Sequence, residues 1–316
     1  MEKSMEKLKK ASTQLTLDEI NEIKRQAQAG SAPHQNQYGL LLALGQFVPK
    51  NKSQAVEYFK KASDQDNPEG MWNYCKYLLY DPDGPADVAQ ALEILLRGCE
   101  KGYPFILNQM AYFYQHGHYV EKNLEKAVEL FRRGAELGSP QAQFNLATMY
   151  ASGEGLEFSE FEAFEWLEKA AYDGDFVEAI GTLGEFYALG IGCLQDLDKG
   201  LELLEMAVGR DHPNSMFALG SFYYKGEIVE RDYDQARFYL GKAVNRGFLQ
   251  AYPIMASLLA QGLGGPKDLE TAKRLLQAGA KAGLADCAEA YQSLLKEPAR
   301  DCDQKDLAEP CKKNIH

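Results

Sequence analysis

The chain has 316 residues, with 34 Lys and Arg against 46 Asp and Glu, a formal net charge of −12 at pH 7. Its 45% apolar and 25% charged content is that of a folded chain, which excludes wholesale disorder. The negative balance argues against nucleic acid as the main partner, because phosphate binding needs clustered Lys and Arg, and equally against an anionic membrane surface.

The start, MEKSMEKLKK, has positive charge but no apolar stretch behind it. No secretory signal is read there, and a cytoplasmic location is expected. Thr16 and Glu19 have the spacing of a capping box, so a helix is predicted over Leu17 to Gly30. No apolar run approaches the ~20 residues of a membrane span. The longest, Tyr38 to Val48, has eleven residues and contains Gln46.

From Gly39 onward one pattern repeats. A small residue recurs at Gly39, Cys75, Ala111, Ala147, Gly184, Gly220 and Ala256, at intervals of 36 except for one of 37, whose extra residue falls in the turn Asp175 to Glu178. Three residues on stand Leu42, Leu78, Tyr114, Tyr150, Tyr187, Tyr223 and Leu259. Six on stand Gly45, Asp81, Gly117, Gly153, Gly190, Gly226 and Gly262, which suit a left-handed helix C-cap everywhere except Asp81. Twelve on stand Asn51, Asp87, Asn123, Ser159, Asp196, Asp232 and Asp268, all able to cap a following helix. Pro68, Pro104, Pro140 and Pro213 share the place seven before the small residue, where a helix begins. Each unit is therefore a helix A, a loop of about six residues, a helix B and a short turn. Helices this short are marginal alone, so stacking must supply their stability.

Leu284 to Lys296 matches a further helix A, stopped by Pro298. The polar segment Asp301 to His316 follows. The organisation expected is N-terminal capping helices over 1–31, seven repeats over 32–283, and a capping helix with a polar tail over 284–316.

The stretches Ala142 to Gly174 and Ser215 to Gly247 carry the register A…LG-x-x-Y-x-x-G…K-A in recognisable form. They resemble Sel-1-like repeats, a family related to tetratricopeptide repeats. The second unit, with Cys75, Leu78 and Asp81 and with Pro82 and Pro85 in its loop, departs most from the pattern. The resemblance implies an all-α, right-handed superhelix of helix pairs. It further implies a non-catalytic adaptor or scaffold that binds a protein or peptide. The alternative is a bacterial immunity or inhibitor protein that neutralises an effector enzyme by direct binding, whose basic target the acidic charge would suit.

By analogy with tetratricopeptide repeats, helix A lines the concave face. The partner-binding residues expected there are Trp72, Lys76, Tyr80, Asn108, Tyr112, His116, Phe144, Thr148, Glu185, Phe217, Ser221 and Tyr224. Aromatic rings supply buried area and amides grip backbone. Trp72, Phe144 and Phe217 read equally as core packing on the preceding helix B.

No residues are assigned to catalysis, cofactor or metal. The glycine pairs Gly153/Gly155 and Gly190/Gly192 and the run Gly262/Gly264/Gly265 recur with the repeat and lack a following Gly-Lys-Ser/Thr. His116 and His118, two apart on a helix, should diverge. The six cysteines are too few for a disulfide scaffold and fit a reducing compartment. Cys75 reads as packing; a disulfide or a metal clip for the tail among Cys287, Cys302 and Cys311 is left open, although their spacing matches no zinc pattern. No nucleophile elbow or zincin motif is present.

Overall fold

The computed structural model describes residues 15–81 and 87–296. The Pro82/Pro85 loop, Pro298 and the tail cysteines Cys302 and Cys311 lie outside them. Sixteen helices occur among the described residues and no strand. In chain order they are α1 (Leu17–Gln28), α2 (Ala32–Leu44), α3 (Lys52–Asp64), α4 (Pro68–Tyr80), α5 (Val88–Glu100), α6 (Pro104–His116), α7 (Leu124–Glu136), α8 (Pro140–Ser152), α9 (Glu160–Tyr172), α10 (Val177–Leu189), α11 (Leu197–Gly209), α12 (Pro213–Lys225), α13 (Tyr233–Asn245), α14 (Ala251–Gln261), α15 (Leu269–Lys281) and α16 (Ala285–Lys296). The even-numbered helices from α2 to α14 are the A helices, and the odd-numbered from α3 to α15 the B helices. The fold is an all-α helix-pair repeat. It divides into two compact units, Met1–Asp196 and Leu197–His316.

The helix ends are set by local chemistry. Thr16 and Glu19 form the capping box of α1, each satisfying the other's backbone N–H. Asn51, Asp87, Asn123, Ser159, Asp232 and Asp268 each accept from the backbone N–H three residues on, which starts the B helix. Pro68, Pro104, Pro140 and Pro213 open their A helices, where no N–H is required. A left-handed glycine closes α2, α6, α8, α10, α12 and α14. Among the A helices α2 to α14 only α4 ends differently: Asp81 is extended, at φ −78°, and accepts a 2.6 Å ion pair from Lys52.

The small register holds helix A against helix B. A Cβ on Gly220 would sit 2.6 Å from Cγ of Leu240 and 3.0 Å from its backbone nitrogen, so only glycine lets α12 and α13 approach this closely. In the second repeat Cys75 takes this place, buried, its thiol donating to the Ala91 carbonyl at 3.5 Å. The first unit's core joins Ile20 and Ile23 of α1 to Leu41, Phe59, Leu78, Leu95, Phe113, Phe131 and Leu146. In the second unit Leu204, Leu219, Leu240 and Leu258 form one core, and Leu259, Leu276 and Cys287 another.

Buried B-helix ends would strand their last carbonyls. Long polar side chains from the next unit answer them. Arg97 donates to the Ser63 carbonyl at 3.0 Å and Arg133 to that of Cys99 at 3.1 Å, the same contact one repeat apart. Gln35 reaches the Ala27 carbonyl at 3.3 Å and Gln143 that of Ala135 at 3.2 Å. The guanidinium charges also oppose the negative end of the helix dipole.

Candidate functional site

Residues four apart on an A helix share a face. The face predicted to meet a partner is assembled from such steps, and the structure sorts its members by burial.

On α4, Trp72 is only 7% exposed, its ring edge-on to Phe105 of α6 at 5.7 Å. Lys76 is half-buried, and burial lowers its ammonium pKa. Tyr80 is exposed. On α6, Asn108 is buried and accepts from the Asn145 amide at 2.8 Å, whereas Tyr112 and His116 are exposed. On α8, Phe144 is half-buried and packs its ring on Phe176 at 5.6 Å. Thr148 is exposed, its hydroxyl donating to the Asn145 carbonyl at 2.7 Å.

On α12, Phe217 is half-buried against Phe248 at 5.3 Å, and Tyr224 lies 6.1 Å from the ring of Tyr233. The Oγ of Ser221 is enclosed and has no hydrogen-bond partner.

Trp72 and Asn108 therefore do not present a free surface as expected. The place three before the small residue faces the start of the next unit. Trp72, Phe144 and Phe217 each meet an aromatic ring there, and Asn36 and Asn108 each meet an asparagine, at 2.7 and 2.8 Å. These asparagine pairs went unpredicted. Their signal was an Asn three before one small residue and two before the next.

Glu185 on α10 is half-buried, and burial pushes its carboxyl pKa up to about 7. The folded form then holds a proton that the unfolded chain releases near 4.5. Stability should fall as pH rises from about 4.5 through about 7. Glu185→Gln is expected to raise the melting temperature at pH 8 and leave it nearly unchanged at pH 4.5. Equal shifts at both pH values would mean that the carboxyl ionises as it does in the unfolded chain.

At the C-terminal end of α6 the rings converge. Tyr112 stacks on His116 at 4.1 Å and meets His118 at 5.7 Å. The two histidine rings, expected to diverge, lie 5.6 Å apart. The helix ends at His116, and left-handed Gly117 turns the chain back over its last turn. The Nδ1 of His116 donates to the Tyr112 carbonyl at 3.1 Å. Tyr119 reaches across to Tyr80 at 5.9 Å and down to Phe113 at 5.2 Å. Glu154, from the next loop, accepts from Gln115 at 3.1 Å and pairs with Lys122 at 3.4 Å; the Gln115 bond holds its carboxyl below the usual range.

Such a surface offers rings, amides and one fixed carboxylate, which suits binding. Among the described residues no group of three or more His, Cys, Asp or Glu is placed to hold a metal ion. Burial pushes the thiols of Cys75 and Cys99 up to about 12 and about 11, which keeps them protonated. No helix among the described residues is long and apolar enough to cross a membrane.

The Sel1 repeat family model matches residues 35–67, 68–103, 107–139, 140–175, 178–212, 213–248 and 254–284. The chain belongs to the Sel1 repeat family. Proteins of this family generally mediate protein–protein interaction and are in general not catalytic. Among solved structures, the chain is similar to a protective antigen of uropathogenic Escherichia coli strains that displays an SLR fold, with 25% identity and a TM-score of 0.69. That match covers 89% of this chain but 60% of the antigen, so the chain spans well under the antigen's full length. A Sel1 repeat protein from Oxalobacter formigenes is 26% identical with a TM-score of 0.66, covering 91% of this chain and 84% of that one. An immunity protein from Pseudomonas aeruginosa is 21% identical over 72% of this chain and 83% of its own, at a TM-score of 0.44, a likeness too loose to bear on function.

Proposed function

We propose that this protein is a non-catalytic scaffold that holds a segment of another protein against the exposed face of its A helices. In this reading α1 and α16 act as terminal caps of the repeats between them. The observation that carries it is the set of exposed or half-exposed aromatic and polar side chains on the A helices. Tyr80, Tyr112, His116 and Thr148 stand on successive A helices of the first unit, and Phe217 and Tyr224 on α12 of the second. Exposed tyrosines of this kind give large contact area at small cost in side-chain entropy. Trp72, Asn108 and Ser221 support the surface from beneath, and Lys76 and Glu185 add polar contacts between the rings.

The test is capture of partners from native lysate on wild type, on Tyr112→Ala, on Tyr224→Ala and on the double variant, with quantitative mass spectrometry. A stoichiometric partner that weakens at least tenfold on the double variant is the expected result. A partner retained in full by the double variant would move binding to the B helices or the loops.

A further inference from the structure

We propose that the ring cluster of Tyr80, Tyr112 and Tyr119, flanked by Glu154, seats a guanidinium or ammonium side chain on a basic segment of the partner. The inference rests on the protein-binding reading above and names the chemistry that one part of the surface selects.

The first support is how this chain treats its other aromatic rings. On two B helices the chain's own cations lie over a ring: Lys169 is 4.1 Å from the Trp166 ring centroid, and Lys242 is 4.3 Å from that of Phe238. The quadrupole of an aromatic face attracts a cation, and an i, i+3 or i, i+4 lysine is the nearest source. Tyr80, Tyr112 and Tyr119 are 52%, 41% and 37% exposed. Among the described residues no cation lies over any of the three. His116 already covers one face of Tyr112, and the solvent-exposed surface of the three rings is what remains for an outside cation.

The second support is backbone strain. Tyr119 sits at φ 62°, in the left-handed region. The corresponding place is glycine in three other repeats, Gly155 at φ 77°, Gly192 at 68° and Gly264 at 64°, and a second bulky residue, Phe47 at φ 62°, in the first repeat. A bulky side chain in that conformation is uncommon and costs free energy that glycine avoids. Here it puts a ring over Phe113 and against Tyr80, which completes the cluster.

The third support is charge. Glu154, bonded to Gln115 and paired with the chain's own Lys122 at 3.4 Å, lies within electrostatic reach of His116, which stacks on Tyr112, and the chain as a whole carries −12. An acidic segment would be repelled by both. A neutral segment would gain ring contact but nothing from Glu154. A basic segment gains from both and is steered toward the surface.

The test uses the full chain and a fluorescein-labelled peptide of six Arg-Gly repeats, with two controls: citrulline in place of arginine, and glutamate in place of arginine. Anisotropy titrations run at about 0.3 M salt, where long-range attraction is screened. Four proteins are compared: wild type, Tyr80→Ala/Tyr112→Ala, Tyr80→Phe/Tyr112→Phe, and Phe161→Ala, which removes an exposed ring elsewhere in the first unit. The melting curve of each checks that it is folded.

The arginine peptide should bind wild type at least tenfold tighter than the citrulline peptide. The double alanine variant should lose between about threefold and thirtyfold per ring removed. The double phenylalanine variant, which keeps the faces, should stay within threefold of wild type, as should Phe161→Ala. Equal binding of the arginine and citrulline peptides overturns the proposal, as does equal weakening by Phe161→Ala. So does tighter binding of the glutamate peptide.

The two readings can fail separately. If the native partner is lost on Tyr112→Ala but the arginine peptide binds the double alanine variant like wild type, the cation seat is wrong and the scaffold reading stands. If the arginine peptide needs the cluster while every captured partner ignores it, the seat stands and the A-helix reading fails.

Discussion

Phe131→Ala is expected to destabilise the protein by about 3–5 kcal/mol, the cost of removing a fully buried phenylalanine ring and leaving a cavity. Phe131 lies on α7, has no exposed surface, and belongs to the core that runs from Ile20 to Met149. In a repeat protein each unit leans chiefly on its neighbours, so the loss should concentrate locally. Hydrogen exchange should accelerate most in α6, α7 and α8, with less change in α13 to α15. A urea titration gives the size of the effect. Phe161→Ala is the matched control: the same deletion from a ring 61% exposed should cost less than about 0.5 kcal/mol. Similar midpoint shifts for the two variants would show that Phe131 does not pack as described.

Gly192→Ala should cost about 2–4 kcal/mol, far more than its place in a surface loop suggests. Gly192 is left-handed at φ 68°, which alone penalises a side chain. The added Cβ would also overlap the Glu160 carbonyl, with the carbonyl carbon only 2.6 Å away and the Phe161 nitrogen at 3.1 Å. Both obstacles are backbone and cannot rotate aside. The loop after α10 would have to lift off the start of α9. Gly138→Ala separates the two contributions. Gly138 is left-handed at φ 80° but has nothing within 4 Å of an added Cβ, so only the conformational cost of about 1–2 kcal/mol should remain. Thermal melts of both variants give the comparison. A Gly192→Ala melt no lower than that of Gly138→Ala would mean that the loop does not rest on α9.

Much of the fold is legible because its determinants are local. A cap acts within three residues, a proline within one turn, and a left-handed glycine at one position. Asn123 capping α7 and Gly117 closing α6 need no knowledge of the rest of the chain. The functional surface is legible only in part. Helix spacing puts Trp72, Lys76 and Tyr80 on one face but does not say which of them the next unit covers. Trp72 is covered by Phe105 and Tyr80 is not. His116 and His118 show the same limit. Helical geometry separates them, and the turn at Gly117 brings their rings together.

By itself the sequence determined the helix-pair period, the helix ends, the small register where A meets B, and the acidic balance, because each of these is written within one turn or one repeat. Only the tertiary structure decided which side chains remain free. The pairs Asn36–Asn73 and Asn108–Asn145, the rings set on Phe105, Phe176 and Phe248, and the approach of Tyr119 to Tyr80 join residues 31 to 39 apart. Those contacts depend on how one unit is laid against the next. That is fixed jointly by loop conformation and core packing, and no single repeat carries it.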